Sequence, residues 1–342
     1  MLQAIEKTSD SVSCKQKQNL YSNTILYSFV RYLAKLEIKD VSKYFEIVNK
    51  SSNSILRSPR SSHFSNFSRP FQSSHPTFSA GSSNPSPASQ FSSSSEYESP
   101  DGLMAAVEDV NLSVEEGKFV CFVGPSGCGK STLLNIIAGL DKPTTGEVIL
   151  NGRRVTEPGP DRIMVFQDNA LFPWLKVIDN VQFGLKIAGV EKKKRHEISM
   201  HYLDMMQLTK FAEAYTYQLS GGMKQRVSLA RALVMDPEVL LMDEPFAALD
   251  SQTRDLLLVE LQLIWAKTRK TILFVTHNIS ESVCLGDKVV VLTNRPGRVK
   301  KEIPIDYRRP RLTEDNNLYS YQRQVLDELK TEIITSRRRE EV

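Results

Sequence analysis

The chain has 342 residues, 40% of them hydrophobic and 25% charged, and a formal net charge of +4. This composition is that of a globular protein with one large or two small domains, and the small, dispersed charge argues against a nucleic-acid partner. No run of 18 apolar residues occurs, so no membrane span is predicted, and the four cysteines form neither a zinc pattern nor a disulfide framework.

The first predicted elements form an antiparallel edge. After an N-terminal extension over residues 1–34, residues 36–41 alternate apolar and charged, as in a half-buried edge strand, and residues 104–114 are predicted to form two further short strands. Between these strands, 20 of the 51 residues from 50 to 100 are serine. Too little periodic apolar content is present there to offset chain entropy, so residues 46–102 are predicted to be a disordered insertion.

A glycine-rich loop follows the apolar run 119–123, which is predicted to be a strand, and precedes the helix-like segment 133–138. Its spacing matches G-x-x-x-x-G-K-[ST], in which backbone N–H groups close around phosphate oxygens at the positive end of a helix. The loop residues are Gly124, Pro125, Ser126, Gly127, Cys128, Gly129, Lys130, Ser131 and Thr132. The motif predicts that Lys130 reaches the β- and γ-phosphates of a nucleotide and that Ser131 holds Mg²⁺.

Strand and helix patterns alternate along the rest of the chain. Short apolar runs predict strands at residues 148–150, 163–166, 239–242, 271–275 and 288–292. Apolar residues spaced by three and four predict helices between residues 173 and 217, and a C-terminal helix from residue 316 whose apolar face carries Leu318, Tyr321, Val325 and Leu329. The alternation predicts an α/β fold with a mostly parallel central sheet and a helical insert.

Two carboxylates end the apolar strand 239–242. Asp243 would lie at the carboxyl edge of the sheet, where open α/β sheets bind ligands, and a carboxylate there can complete a Mg²⁺ site. Glu244, one residue further, can orient or deprotonate an attacking water. A strand that simply ends in a charged turn is the alternative, and the phosphate loop, whose Lys130 precedes Asp243 by 113 residues, favours the nucleotide interpretation.

The stretch 219–226, LSGGMKQR, is the most discriminating in the chain. A serine and two glycines at a helix start fit an N-cap, and the same geometry binds anions. The stretch resembles the LSGGxxQR signature of the ATP-binding cassette family, with Ser220 lying 23 residues before Asp243, a separation similar to that family's. The resemblance implies a P-loop NTPase core over residues 35–310, a helical signature subdomain over residues 168–235 and a helical tail over residues 311–342.

The resemblance also assigns roles to single residues. Phe45, or its neighbour Tyr44, looks like the aromatic residue that stacks on adenine. Gln167 looks like the glutamine that senses Mg²⁺ and couples to a membrane subunit. His277 looks like the switch histidine that contacts the γ-phosphate. The segment 248–250, which ends in Asp250, resembles the one that crosses the dimer interface.

The family resemblance implies an ATPase that uses ATP and Mg²⁺ as a homodimer. Each subunit would present Ser220, Gly221, Gly222 and Gln225 to the nucleotide of the other subunit. The residues implied to act on the nucleotide bound by their own subunit are Glu244, His277, Gln167 and Lys130. The homodimer would lie on the cytoplasmic face of the membrane against a transmembrane permease, and a periplasmic or surface solute-binding protein would be an indirect partner.

Three further segments narrow the resemblance. Residues 158–162, 172–175 and 295–298 are similar to the group that serves nitrate, sulfonate and taurine importers, which implies a small anionic solute. Phe172 and Trp174 are either core aromatic residues or the lining of a groove for the permease.

Other functions compete with this interpretation. A cassette ATPase without transport and a regulator that uses ATP as a switch both stay open. A P-loop kinase is a more remote alternative, because it has no use for the signature stretch.

Overall fold

A computed structural model describes residues 35–48, 55–57 and 103–340 of the chain, the side chains of 47–48, 55–57 and 333–340 excepted. The predicted N-terminal extension and most of the predicted insertion lie outside the described residues. Residues 46–48 of the insertion continue the first strand, and residues 55–57 pair with it as a short second strand, so these two pieces of the range predicted to be disordered are ordered in a sheet.

An antiparallel sheet opens the fold. Its strands are β1 (Leu36–Val48), β2 (Ile55–Arg57), β3 (Leu103–Val114), β5 (Thr145–Leu150) and β6 (Arg153–Arg154). β1 pairs with β2, β3 and β5, so it is an interior strand, and its prediction as an edge strand was wrong. The separation of the 104–114 segment into two strands was also wrong, because register shifts in the β1–β3 pairing carry one continuous β3 past its charged residues.

The central sheet has the strand order β11, β10, β4, β9, β8, β7. Its strands are β4 (Phe119–Val123), β7 (Arg162–Val165), β8 (Val239–Asp243), β9 (Thr271–Val275), β10 (Lys288–Leu292) and β11 (Val299–Pro304). Neighbouring strands from β10 to β7 are parallel, and only β11 is antiparallel to its neighbour. The predicted α/β fold with a mostly parallel sheet is therefore confirmed.

Helices account for most of the remaining described chain. They are α1 (Lys130–Ala138), α2 (Val177–Ile187), α3 (Lys192–Met205), α4 (Gly221–Leu233), α5 (Ser251–Thr268), α6 (Ile279–Leu285) and α7 (Tyr319–Glu340), with 3-10 turns at Thr209–Phe211, Thr216–Gln218 and Asn316–Leu318. The predicted apolar face of the C-terminal helix is confirmed, since Leu318 and Val325 are fully buried and Tyr321 packs against the core. None of the helices in the described ranges combines the length and apolar character that a membrane span requires.

Apolar side chains cover both faces of the central sheet. Alternate residues of β4 point to opposite faces, with Phe119 and Cys121 in one cluster and Val120 and Phe122 in the other. The first cluster joins the sheet to helices α2 to α7, and the second joins it to α1 and the antiparallel sheet. Because both faces are covered, a ligand can reach the parallel sheet only at its edges, of which the carboxyl edge is the usual site.

Candidate nucleotide site

The topology brings most of the predicted site residues to one edge of the central sheet. The parallel strands β4, β9, β8 and β7 are consecutive neighbours, so the segments after their carboxyl ends lie side by side. Those segments carry the phosphate loop after β4, His277 after β9, Glu244 after β8 and Gln167 after β7. Residues separated by up to 153 positions in sequence, from Gly124 to His277, therefore share one edge.

The phosphate loop ends in a helix start that no side chain caps. Gly129, the residue before α1, has φ of 98° and no side-chain hydrogen bond to the first turn. A Cβ at this position would lie 2.5 Å from the carbonyl oxygen of Ala106, so both the backbone angle and the packing require glycine. The N–H groups and positive dipole end of α1 thus point into the loop, which is the arrangement that binds phosphate.

Lys130 lies inside the phosphate loop. Its side chain is buried, and Nζ donates to the carbonyl oxygens of Gly124 at 2.9 Å and Pro125 at 2.8 Å. The ammonium group also lies 3.8 Å from Cys128 Sγ, and burial raises the pKa of that thiol, so Cys128 stays a neutral packing residue. The loop therefore holds a positive charge at its centre without a carboxylate partner in these contacts.

Asp243 and Ser131 form an oxygen-rich pair beside the loop. Burial is the main cause of a raised pKa at Asp243, and a side-chain hydrogen bond with Ser131 opposes that rise. The Oδ1 atom of Asp243 is buried and has no hydrogen-bond partner among the described residues. A buried carboxylate oxygen without a partner next to a hydroxyl oxygen fits a small hard cation such as Mg²⁺.

Glu244 and His277 meet at the carboxyl edge. His277 Nδ1 lies 2.7 Å from Glu244 Oε2, although 33 residues separate them. Glu244 has φ of 44°, a conformation unfavourable for a residue with a side chain, and its N–H donates to the carbonyl oxygen of Val275 at 3.0 Å. The bend out of β8 turns the carboxylate toward the imidazole, and such a pair can orient a water and move its proton.

Gln167 is exposed in the segment that follows β7. Arg231 of α4 supports this segment, since its guanidinium donates to the carbonyl oxygens of Asn169 at 3.0 Å and Ala170 at 2.8 Å. Burial lowers the pKa of Arg231, which has no carboxylate in these contacts. Sequence reasoning missed Arg231, because one arginine in an amphipathic helix gives no sign of the loop that it holds.

The signature stretch begins α4 and packs against the start of α5. Ser220 caps α4 through a hydrogen bond from the Met223 N–H to its Oγ at 3.3 Å. A Cβ on Gly222 would lie 2.5 Å from Thr253 Cγ2, so glycine allows the two helix starts to approach. Asp250 caps α5 by accepting from the Thr253 N–H at 2.9 Å, and this bond lowers the Asp250 pKa.

The structure groups the signature residues with Asp250 and not with the phosphate loop. Ser220, Gly221 and Asp250 are exposed near these two helix starts, whereas the phosphate loop follows β4 at the sheet edge. Gln225 is the exception among the predicted signature residues. It is 1% exposed, and its Nε2 is buried without a hydrogen-bond partner in the described chain, so it lies beneath the helix surface.

Phe45 and Tyr44 differ in what they contact. Tyr44 donates its hydroxyl to Glu108 Oε1 at 3.2 Å, whereas Phe45 is half-buried with Lys43 Nζ 5.2 Å from its ring centroid. Phe45 lies opposite Met104 of β3, and neighbouring residues of a strand face opposite sides. The two aromatics therefore cannot both face one ligand, and the bonded hydroxyl of Tyr44 leaves Phe45 as the better stacking candidate.

An aromatic surface lies on the helical insert, formed by Phe172, Trp174, Tyr215 and Tyr217. Trp174 is 70% exposed and Tyr217 71% exposed, so the alternative that Trp174 is a core residue was wrong. Phe172 packs at 5.6 Å from Trp174, and Tyr215 stacks on Tyr217 at the same centroid separation. An isolated bridge between Lys176 and Tyr215 brings the two pairs together. Neighbouring exposed aromatic side chains are a common feature of interaction surfaces.

Comparison with known proteins agrees with this geometry. A family model described as ABC transporter matches residues 107–247. The chain is 48% identical over 223 residues to the nitrate import ATP-binding protein NrtD of Synechocystis, covering 65% of this chain and 84% of that protein. It is 47% identical over 215 residues to the taurine import ATP-binding protein TauB of Roseobacter denitrificans, covering 63% and 79%.

A solved structure of another ATP-binding cassette is also similar to this chain. It is a dimeric ATP-binding cassette in a post-hydrolysis state bound to ADP and Pi, with a TM-score of 0.56 and 28% sequence identity. The match covers 80% of this chain and 100% of that one. The similarity therefore extends well beyond the short motifs.

Proposed function

The chain belongs to the ABC transporter family of ATP-hydrolysing cassettes, and on that premise we propose that it powers the uptake of a small anionic solute through a separate transmembrane subunit. The relatives named for nitrate and taurine import support the choice of solute class, since both solutes are small anions. One observation carries the transport proposal, the exposed aromatic surface beside the segment that follows Gln167.

The proposed chemistry is attack of water on the γ-phosphorus of ATP. Glu244 orients the water and accepts its proton, while the bond between the γ-phosphorus and the bridging oxygen breaks and ADP carries away the electron pair. His277, 2.7 Å from Glu244, holds the carboxylate in place and stabilises charge on the γ-phosphate. Lys130 and the N–H groups of residues 124–132 bind the β- and γ-phosphates.

Mg²⁺ is the proposed cofactor. Ser131, Asp243 and Gln167 would hold it, and the buried, unpartnered Oδ1 of Asp243 is the observation that supports this set. When bound, Mg²⁺ neutralises charge on the phosphate oxygens. Phe45 is the proposed stacking partner of adenine. It lies directly opposite Met104 in the β1–β3 pairing.

We propose a head-to-tail homodimer because the chain holds the two halves of the phosphate cage in different places. Ser220, Gly221 and Gly222 lie at the start of α4, near Asp250, and would meet the γ-phosphate bound to the partner's phosphate loop. Buried Gln225 would support that helix start from below. Closing the dimer around two nucleotides would bring Asp250 of each subunit to the interface.

The proposed permease contact is the aromatic surface. Trp174 and Tyr217 would bind an apolar helix of the transmembrane subunit, because aromatic side chains bury large areas at interfaces. Arg231 ties the segment after Gln167 to α4, so a change at the nucleotide can reach the surface through one hydrogen-bonded segment. The subunit would lie on the cytoplasmic face of the membrane, with a solute-binding protein on the other side.

Isolation from detergent-solubilised membranes tests the transport proposal. We expect tagged parent chain to retain a protein with several membrane spans, and the double variant W174A/Y217A to lose it while its ATP hydrolysis as a purified chain stays within about twofold of the parent. Substitution of the exposed Tyr319, which lies on α7 away from this surface, is the matched control. Retention of soluble proteins alone would contradict the proposal and favour a non-transport cassette ATPase or an ATP-switched regulator.

A further inference from the structure

The turn between β10 and β11 is held closed by its own hydrogen bonds. Thr293 Oγ1 accepts from the Arg298 N–H at 2.9 Å and donates to the Pro296 carbonyl at 2.8 Å, and the Thr293 N–H donates to the Arg298 carbonyl at 3.0 Å. A turn with three internal bonds is a rigid element that can hold a side chain in a fixed place.

The backbone of this turn lies against the phosphate loop. The Gly297 N–H donates to the carbonyl of Ala106 at 3.0 Å, and its own carbonyl accepts from the Glu108 N–H at 3.1 Å. A Cβ on Gly297 would lie 2.1 Å from the carbonyl oxygen of Cys128, so only glycine permits this approach. The turn is therefore anchored on β3 on one side and touches the phosphate loop on the other.

Arg295 reaches from this turn to the phosphate loop. Its Nη2 and Nε both donate to the carbonyl oxygen of Gly127, at 2.8 Å and 3.1 Å, and its Nη1 lies 3.2 Å from Met104 Sδ. Gly127 has φ of 75°, and Met104 is the β3 residue opposite Phe45. The Arg295 guanidinium thus contacts the phosphate loop and also Met104, the β3 residue opposite Phe45.

The Gly127 carbonyl controls the direction of the next N–H group. The peptide between Gly127 and Cys128 is planar, so its C=O and N–H point in opposite directions. A guanidinium on the carbonyl outside the loop therefore keeps the Cys128 N–H pointing into it, where that N–H now makes a long bond of 3.4 Å to the Pro125 carbonyl. The positive charge also polarises the peptide, which makes the N–H a stronger donor to an anion.

We propose that Arg295 is a positioning residue for nucleotide binding, which holds the Gly127–Cys128 peptide in the orientation that receives a phosphate oxygen. The proposal rests on the phosphate-binding role proposed above for residues 124–132. Arg295 acts through the loop backbone and without a contact to the reacting atoms.

Arg298 provides a matched comparison in the same turn. Its Nη2 donates to Glu108 Oε2 at 2.6 Å, and Glu108 Oε1 accepts the hydroxyl of Tyr44. This ion pair links the turn to β3 and β1, and neither of these hydrogen bonds involves the phosphate loop. Loss of Arg298 therefore tests the general importance of the turn, whereas loss of Arg295 tests its contact with the loop.

Calorimetric titration of the full chain with ADP and Mg²⁺ separates the two roles. We expect R295M to raise the Kd for ADP about tenfold, because a charge-assisted bond to the loop is lost. R295K keeps one cationic donor, so its Kd for ADP should rise only about threefold, while the Kd of R298M should stay within about twofold of the parent value. In steady-state hydrolysis R295M should raise KM with kcat nearly unchanged, because ground and transition states lose the same contact.

The other results overturn the proposal or its premise. An unchanged Kd in R295M, or an equal loss in R298M, would show that Arg295 has no particular effect on the loop. If R295M does not fold, as judged by its Tm, the comparison of R295K with R298K decides in the same way. K130A tests the premise separately. An unchanged ADP affinity in K130A would contradict the phosphate-binding role of the loop, whatever the result for R295M.

Discussion

At the scale of single residues, the proposed ATPase chemistry depends on the carboxylate of Glu244. Its strained backbone and its 2.7 Å contact with His277 place it at the end of β8, beside the phosphate loop. Hydrolysis needs a group that orients water and accepts a proton, and an amide of the same shape cannot accept it.

We expect Glu244→Gln to lower kcat for ATP hydrolysis by about 10² to 10⁴-fold while the Kd for ADP stays within about threefold of the parent. Steady-state assays and ADP titration measure the two quantities. Glu238→Gln is the control, because Glu238 lies next to the opposite end of β8 and contacts Asn151. Hydrolysis by Glu244→Gln at the parent rate would remove Glu244 from its catalytic role.

The raised pKa of a second carboxylate near the site, Glu281, determines how one contribution to stability changes with pH. Glu281 is buried, accepts a hydrogen bond from Thr276 Oγ1 at 2.6 Å and lies 3.5 Å from Arg254 Nε. Burial raises its pKa above the ordinary value of 4.5, and the contacts with Thr276 and Arg254 only partly oppose this. The folded state therefore binds the proton more tightly than the unfolded state, so this contribution to stability is full below the unfolded pKa and is lost as the pH rises through the folded pKa.

For Glu281→Gln we expect the Tm relative to the parent to rise between pH 5 and pH 8. The rise should be about 2–4 °C for each kcal/mol of stability that the parent loses as Glu281 ionises. Thermal unfolding of both proteins across that range measures the difference. Arg254, His277 and Glu244 also act on Glu281, so His277→Gln in both backgrounds removes the contribution of the imidazole. A Tm difference that falls with pH would contradict the raised pKa.

At the scale of elements, one buried arginine joins the segment after β11 to α6. Arg311 is 1% exposed, and its guanidinium donates to the carbonyl oxygens of Val283 at 2.9 Å, Ile305 at 3.1 Å and Tyr307 at 2.7 Å. Burial lowers its pKa to about 10, so the group stays charged at neutral pH. The carbonyl groups would be left buried and without this partner if the side chain were removed.

Arg311→Met should therefore lower the Tm by about 5–15 °C, which corresponds to roughly 2–4 kcal/mol. Arg308→Met removes an exposed arginine from the same segment and should change the Tm by less than about 2 °C. Equal Tm values for the two variants would show that the buried hydrogen bonds of Arg311 contribute nothing net.

The strands of the central sheet were predictable because they are short apolar runs with polar ends. β4, β9 and β10 were predicted with the bounds that the structure has, and β8 extends its prediction by one residue, Asp243. β11 was missed because its sequence, VKKEIP, is mostly polar, as an antiparallel edge strand can be. The place of β1 inside its sheet also could not be read from residues 36–41, since it depends on pairing with three distant strands.

The candidate site was predictable where a motif carries its own mechanism. The positions of the phosphate loop, Asp243 and Glu244 follow from local sequence, because the loop and the end of β8 are themselves the segments that would contact the proposed ligand. Arg231 and Arg295 act on backbone carbonyls in other elements, and an arginine that binds a carbonyl has no sequence pattern. Such contacts depend on tertiary distances that one sequence does not contain.

At the scale of the whole molecule, the proposed phosphate cage needs two copies of the chain. The helix start at Ser220 and the phosphate loop belong to separate parts of one chain, so ATP should join two chains when its hydrolysis is blocked. We expect Glu244→Gln with ATP and Mg²⁺ to sediment as a dimer and with ADP as a monomer.

Ser220→Glu in the Glu244→Gln background should prevent that dimer, because a carboxylate would repel the γ-phosphate. Ser113→Glu, on the exposed side of β3, is the matched control and should dimerise normally. A monomer at all ATP concentrations in Glu244→Gln would argue against the shared site.

We propose that ATP is hydrolysed at the loop over residues 124–132, and the decisive measurement is the ATP hydrolysis rate of the purified full chain compared with that of Lys130→Ala. Nζ of Lys130 is the cation held inside that loop. We predict that the parent hydrolyses ATP and that Lys130→Ala loses about 10²-fold or more of the rate while keeping the parent's Tm within a few degrees. An equal rate in a folded Lys130→Ala protein would contradict the assignment of this loop as the catalytic phosphate site.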